Sequence, residues 1–184
     1  MAVVVAALVG FAGHRSAFSS ATSFGDVLHS EPTGAVGEAD GVVAGSASVF
    51  DDVPAVSNLD QGLLVALRRA ARDAARNGVE LEVNSGWRSP AYQEQLLREA
   101  VSKYGSEAEA ARWVATPATS PHVSGDAVDV GPSASAWLSR HGAEYGLCQI
   151  YGNEAWHFEL RAEAVGHGCP RRYADAAHDP RMQR

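Results

Sequence analysis

No run of Lys and Arg occurs anywhere in the 184 residues, and the formal net charge is −7. Phosphate binding needs a basic face, so a nucleic-acid partner is not expected. Long apolar stretches are equally scarce. The one present, Ala2 to about Gly13, falls short of the roughly 20 residues that a membrane span requires. No Lys or Arg precedes it, the first being Arg15, so the positive start of an export signal is missing. Three readings of this run stay open: the apolar core of an export signal whose true start lies upstream, the back half of an N-terminal membrane anchor, or a buried strand. Cysteine is limited to Cys148 and Cys169. An even pair behind an export-like run favours a disulfide over two free thiols. No repeats and no heptads are found, which excludes solenoids and coiled coils. What is present is ordinary: 46% hydrophobic and 20% charged residues, enough for one domain with a real core.

Ser, Gly, Ala and acidic residues dominate from about His14 to Ser46 without a sustained period, which predicts a flexible linker over 16–46 after an apolar 1–15. The folded domain is expected over 47–175, with a C-terminal tail at 176–184. Leu63, Leu64, Leu67, Ala71 and Ala74 recur at helical spacing, and Arg68, Arg69, Arg72 and Arg76 mostly take the wet side, so a helix is predicted over roughly 60–77. The alternation in "VELEVNSG" predicts a strand. Pro90 opens a second helix to about Tyr104, and "SEAE" is a capping-box pattern for a third, short one. "AVDV", "LCQIY" and "WHFEL" read as strands, the last two close enough to pair, with a helix over "SASAWLSRHGAEYG" between the first two. This order favours an α+β fold with a small, mostly antiparallel sheet.

His122, Asp129 and His157 supply two imidazoles and a carboxylate. Zinc takes such ligands, and catalytic zinc commonly uses three protein ligands and leaves the fourth position to water. Gly125 permits a backbone turn that other residues resist, so Asp129 can be aimed back at a metal held by His122. Glu154, three residues before His157, has the carboxylate that metal-assisted hydrolysis needs to take and return a proton. Singly, each residue has a plainer reading: His122 in a loop, Asp129 in a turn, His157 packed between Trp156 and Phe158, Glu154 in water. Together they meet a three-ligand-plus-base requirement. Asp126 is expected to face solvent. Glu159 shares His157's face, where it either orients that ligand or pairs with an arginine.

These residues carry a family resemblance. "SPHVSGDAVD" resembles the S-x-H-x-x-G-x-A-x-D motif of VanY-type zinc D-Ala-D-Ala carboxypeptidases, in the LAS group. "EAWH" resembles that family's E-x-W-H motif, and "SGWRS" with "YQEQL" resembles its upstream segment. The likeness runs from about Val53 to Pro170. It implies the compact hedgehog/DD-peptidase fold, Zn²⁺ as cofactor, and His122, Asp129 and His157 as its ligands. It implies Glu154 as catalytic base and acid, and Arg88 as the residue that meets substrate and stabilises the oxyanion. Ser120, Gln93, Tyr151 and Trp156 are candidate substrate-binding residues. The partner implied is a peptidoglycan stem peptide ending in D-Ala-D-Ala, met outside the membrane by a monomer. Two alternatives remain: a dipeptidase or endopeptidase cut in the same substrate class, and a metal-stabilised module that binds wall peptide without cleaving it.

Overall fold

The structure is a computed structural model, and it describes residues 35–183. The apolar run and most of the expected linker, 16–34, lie outside the described residues. Five short strands build one antiparallel sheet: β1 (Ala47–Ser48), β2 (Glu82–Ser85), β3 (Ala127–Val130), β4 (Leu147–Gln149) and β5 (His157–Leu160). Their spatial order is β1-β2-β3-β5-β4. Five helices accompany them: α1 (Pro54–Ser57), α2 (Gln61–Arg76), α3 (Pro90–Tyr104), α4 (Glu107–Ala110) and α5 (Pro132–His141). The expected α+β class and the expected pairing of "LCQIY" with "WHFEL", here β4 with β5, are therefore present. Among the described residues no helix is long and apolar enough to cross a membrane.

Local chemistry explains the elements. Asp60 caps α2 by accepting from the Leu63 amide at 3.0 Å. Ser89 does the same for α3 from Tyr92, with Pro90 in the first turn where its missing N–H costs nothing. Ser106 caps α4, but Glu109 turns to Arg112 at 3.2 Å instead of closing a capping box. Leu63, Leu67, Ala70 and Ala74 form the buried stripe of α2 and pack with Val83, Val128, Val130 and Phe158. Burial of each large side chain contributes about 1.5–3 kcal/mol before chain entropy is subtracted. Strand alternation then decides the site. Val128 and Phe158 pair across β3 and β5 and enter this core, so Asp129 opposite His157, and Ala127 opposite Glu159, look out from the other face.

Two expected boundaries are corrected. Residues 35–46 are not linker. A 3-10 turn at Glu38–Asp40 brings Asp40 onto Ser89: its carboxylate accepts from Ser89 Oγ at 2.7 Å and its carbonyl from the Ser89 amide at 2.8 Å. Gly41, at φ +91°, lies so close to the Trp87 carbonyl that a Cβ would come within 2.0 Å. Nor is 176–183 a loose tail. It forms two 3-10 turns, Ala176–His178 and Pro180–Gln183, with Ala176 and Asp179 buried.

A disulfide joins Cys148 of β4 to Cys169. It pins the segment that returns from β5 toward the sheet. Replacing both cysteines by Ala removes a closed loop whose denatured-state entropy corresponds to about 3 kcal/mol. The urea midpoint of the double variant is therefore expected to drop measurably, and an unchanged midpoint would show that the bridge adds nothing.

Candidate metal centre

β3 and β5 pair with Asp129 directly opposite His157. The register of β2 against β3 slips between Val83 and Ser85, so β2 carries an extra residue there and Ser85 lies opposite Asp129. Such a bulge re-aims side chains at the edge of a site. His122 arrives from a tight turn closed by Gly125 N–H to His122 O at 3.2 Å and Asp126 N–H to Pro121 O at 2.7 Å. Gly125 has φ +82°, and a Cβ there would meet the Asn58 carbonyl at 2.7 Å. Both facts require glycine. The Gly125 carbonyl accepts from the Asp60 amide, and the His122 carbonyl accepts from the Arg88 amide at 3.1 Å. The turn is thus tied to the start of α2 and to the segment that opens α3.

The donor atoms converge. His122 Nε2 lies 3.3 Å from His157 Nδ1, His157 Nδ1 lies 3.1 Å from Asp129 Oδ1, and His122 Nε2 lies 3.4 Å from Asp129 Oδ1. Zinc–ligand bonds of about 2.0–2.1 Å in tetrahedral geometry demand edges of about 3.3–3.4 Å. The triangle has that size, so the three side chains fit a Zn²⁺ ion without rearrangement. The outer nitrogens are also engaged. His122 Nδ1 faces the Gly86 carbonyl at 2.8 Å and His157 Nε2 faces Glu159 Oε1 at 3.3 Å. A proton on each outer nitrogen leaves the inner one with its lone pair, the arrangement in which histidine binds metal.

Charge is distributed to match. Burial, followed by the nearby Arg88 cation, lowers the pKa of His122 and keeps it neutral. Burial alone would raise Asp129, but the His122 and His157 contacts and Arg88 outweigh it and hold the carboxyl well below its usual range. His157 is pushed down by burial yet raised to about 9 overall, because it bonds to both Asp129 and Glu159. A cation at Nδ1 therefore displaces a proton. Glu154 is buried and raised to about 7, chiefly by desolvation. Its Oε2 lies 4.0 Å from His157 Nδ1, beside the triangle and not part of it.

The other predicted residues divide by what they touch. Arg88 donates to Asp129 Oδ2 at 2.8 Å, to Ser85 Oγ at 2.8 Å and to Gln93 Oε1 at 3.2 Å. Gln93 is buried and gives its amide N–H to the Ala115 carbonyl at 2.8 Å, so both polar ends are spent inside the protein. Tyr151 is buried too, its hydroxyl donating to Asp179 at 3.1 Å and its ring centre 5.1 Å from that of His157. Ser120 and Trp156 line the cleft of about 270 Å³ over the triangle. Ser120 Oγ is buried with no protein partner among the described residues, and Trp156 is 43% exposed. Asp126 faces solvent, as expected. Glu159 does both things foreseen for it: it meets His157 and pairs with Arg161 and Arg181. Arg181 and Asp179 have no counterpart in the sequence reading. Nothing in residue spacing shows a contact across 22 positions.

The family model described as VanY, D-alanyl-D-alanine carboxypeptidase, matches residues 56–163. A D-alanyl-D-alanine carboxypeptidase of Enterococcus faecalis is 33% identical over 113 residues, which are 47% of this chain and 42% of that protein. The chain thus spans less than half the length of this curated relative. The solved structure of VanYB in complex with D-Alanine-D-Alanine matches with a TM-score of 0.54 at 27% identity, over 59% of this chain and 75% of that one. A variant of the vancomycin resistance D,D-pentapeptidase VanY in complex with Zn(II) shares the fold, with a TM-score of 0.55 at 24% identity, over 68% of this chain and 83% of that one. The family match covers more than half of the sequence and includes every residue of the donor triangle: this chain belongs to the VanY family of D-alanyl-D-alanine carboxypeptidases.

Proposed function

We propose that this protein is a zinc-dependent carboxypeptidase that removes the terminal D-alanine from peptidoglycan stem peptides ending in D-Ala-D-Ala. The observation that carries this reading is the triangle of His122, Asp129 and His157 donor atoms with Glu154 beside it. A zinc ion held there supplies Lewis acidity to the scissile carbonyl and lowers the pKa of a water. Glu154 takes the proton of the attacking water and returns it to the departing amine of D-alanine. Arg88 lines the same cleft, where its cation stabilises charge that develops on the carbonyl oxygen. The unpartnered Ser120 hydroxyl offers a hydrogen bond to the peptide. Trp156 walls the cleft mouth, and Gln93 and Tyr151 hold Arg88 and His157 from behind. The cleft shares Val114, Ala115 and Met182 with a groove of about 550 Å³, which gives the rest of the stem a path.

Such a substrate places the enzyme outside the membrane, with residues 1–15 as export signal or anchor. The test is mass analysis of products from a defined muropeptide pentapeptide, with and without chelator. Loss of one D-alanine, abolished by chelation and restored by zinc, is expected. Loss of a dipeptide or an internal cut would assign a different cleavage, and binding without any product would support the wall-binding module.

The pH profile is a second check. Glu154 acts as base only when deprotonated, and burial raises it to about 7. A bound dication favours the carboxylate and moves it lower. An acid limb in kcat/KM with its midpoint at or below about 7 is expected. A rate independent of pH through this region would contradict the assignment.

A further inference from the structure

Glu159 is completely buried, and a buried carboxylate persists only with partners. It has four donors. His157 Nε2 and Arg181 Nη2 approach Oε1 at 3.3 and 3.1 Å, while Arg161 Nη2 and Arg181 Nη1 approach Oε2 at 2.5 and 2.7 Å. Arg181 thus grips both oxygens in a fork, which fixes the plane of the carboxylate. The fork is held in turn. Asp179, also fully buried, accepts from the Arg181 amide at 3.0 Å, from Nε and from Nη2. Asp179 further accepts from the Tyr151 hydroxyl, and the Tyr151 ring packs on His157. Both supports of His157, the carboxylate behind Nε2 and the ring against its face, therefore end on one C-terminal turn.

We propose that Arg181, anchored by Asp179, is a positioning residue for the metal centre. It locks Glu159, and through it the orientation of His157, so that Nδ1 stays aimed into the triangle. This turn lies outside the matched span 56–163. The inference rests on the reading of His122, Asp129 and His157 as zinc ligands. A partner one step behind a metal ligand typically controls affinity by about 10–100-fold. Arg181 acts through Glu159, so about tenfold is expected.

The experiment measures zinc affinity of the full chain by competition with a chromogenic chelator, and the visible spectrum of the cobalt-substituted protein. Arg181→Met keeps the apolar stem and removes the fork. It is expected to weaken zinc binding about tenfold and shift the cobalt bands, because the ligand field at His157 changes. Arg181→Lys keeps the charge but not the fork, and is expected to recover part of the affinity. Arg112→Met is the comparator: it frees the same C-terminal segment at Asp175, which Arg112 Nε holds at 2.9 Å, without touching Glu159. It is expected to lower the melting temperature and leave zinc affinity unchanged. Equal affinity in wild type and Arg181→Met, or equal losses in Arg181→Met and Arg112→Met, would overturn the proposal. Should Arg181→Met fail to fold, Arg181→Lys decides alone: an intermediate loss supports the fork, and wild-type affinity refutes it. Failure of zinc to bind the wild-type chain is a separate result, which removes the zinc reading itself and this inference with it.

Discussion

Glu154→Gln is expected to keep zinc and lose D-alanine release by about 10²–10⁴-fold, the range that a positioned proton-transfer group contributes. That loss equals about 3–5 kcal/mol of transition-state stabilisation at 1.36 kcal/mol per tenfold. The substitution is nearly isosteric and lies outside the donor triangle, so metal content should not change. It should not unfold the protein either. Glu154 has a folded-state pKa raised to about 7, so its contribution to stability is present at acid pH and lost as pH rises through that value. A neutral amide removes the cost of burying the charge. The melting temperature of the metal-free variant at pH 8 is therefore expected to equal or exceed that of the metal-free wild type. Zinc-loaded Glu154→Gln that hydrolyses at the wild-type rate would remove Glu154 as base. A variant that lost zinc as well would place Glu154 among the ligands.

How much of this was readable without coordinates depended on the range of the contact. α2 was legible because Leu63, Leu64, Leu67, Ala71 and Ala74, all buried, repeat at helical spacing. The strand character of "AVDV" and "WHFEL" was legible, and so was the shared face of His157 and Glu159. Their pairing as neighbours in register, Asp129 to His157, was not, because pairing is set by packing across 28 positions and not by local pattern. α3 misled. Among its residues only Gln93 and Ala100 are buried, so it has no apolar stripe, and a buried glutamine there looks like solvated surface or a substrate contact. The C-terminal turn misled for the opposite reason. Asp179 and Arg181 resemble a solvated tail until the disulfide at Cys169 and the bridge between Tyr151 and Tyr173 bring them back to the sheet.

Removal of the metal is expected to abolish turnover and leave the fold standing. The donors compensate one another without an ion: Asp129 pairs with Arg88 at 2.8 Å and with His157 at 3.1 Å, and His157 also meets Glu159. None of the three donor residues is left with a lone charge, and the core of α2 with Val83, Val128, Val130 and Phe158 lies on the other face of the sheet. Zinc then stabilises only by mass action. At a free concentration a thousandfold above Kd that is about 4 kcal/mol. For a chain of this size it raises the melting temperature by roughly 8–16 °C, at about 2–4 °C per kcal/mol. The shift should grow with the logarithm of zinc concentration in the wild type. His122→Ala leaves two donors of three, so that variant should show neither the zinc-dependent shift nor D-alanine release, with its zinc-free melting temperature close to that of the chelated wild type. A chelated wild type that unfolds would make the ion a structural element of the domain. A His122→Ala variant that still gains stability from zinc would place the metal somewhere other than the triangle.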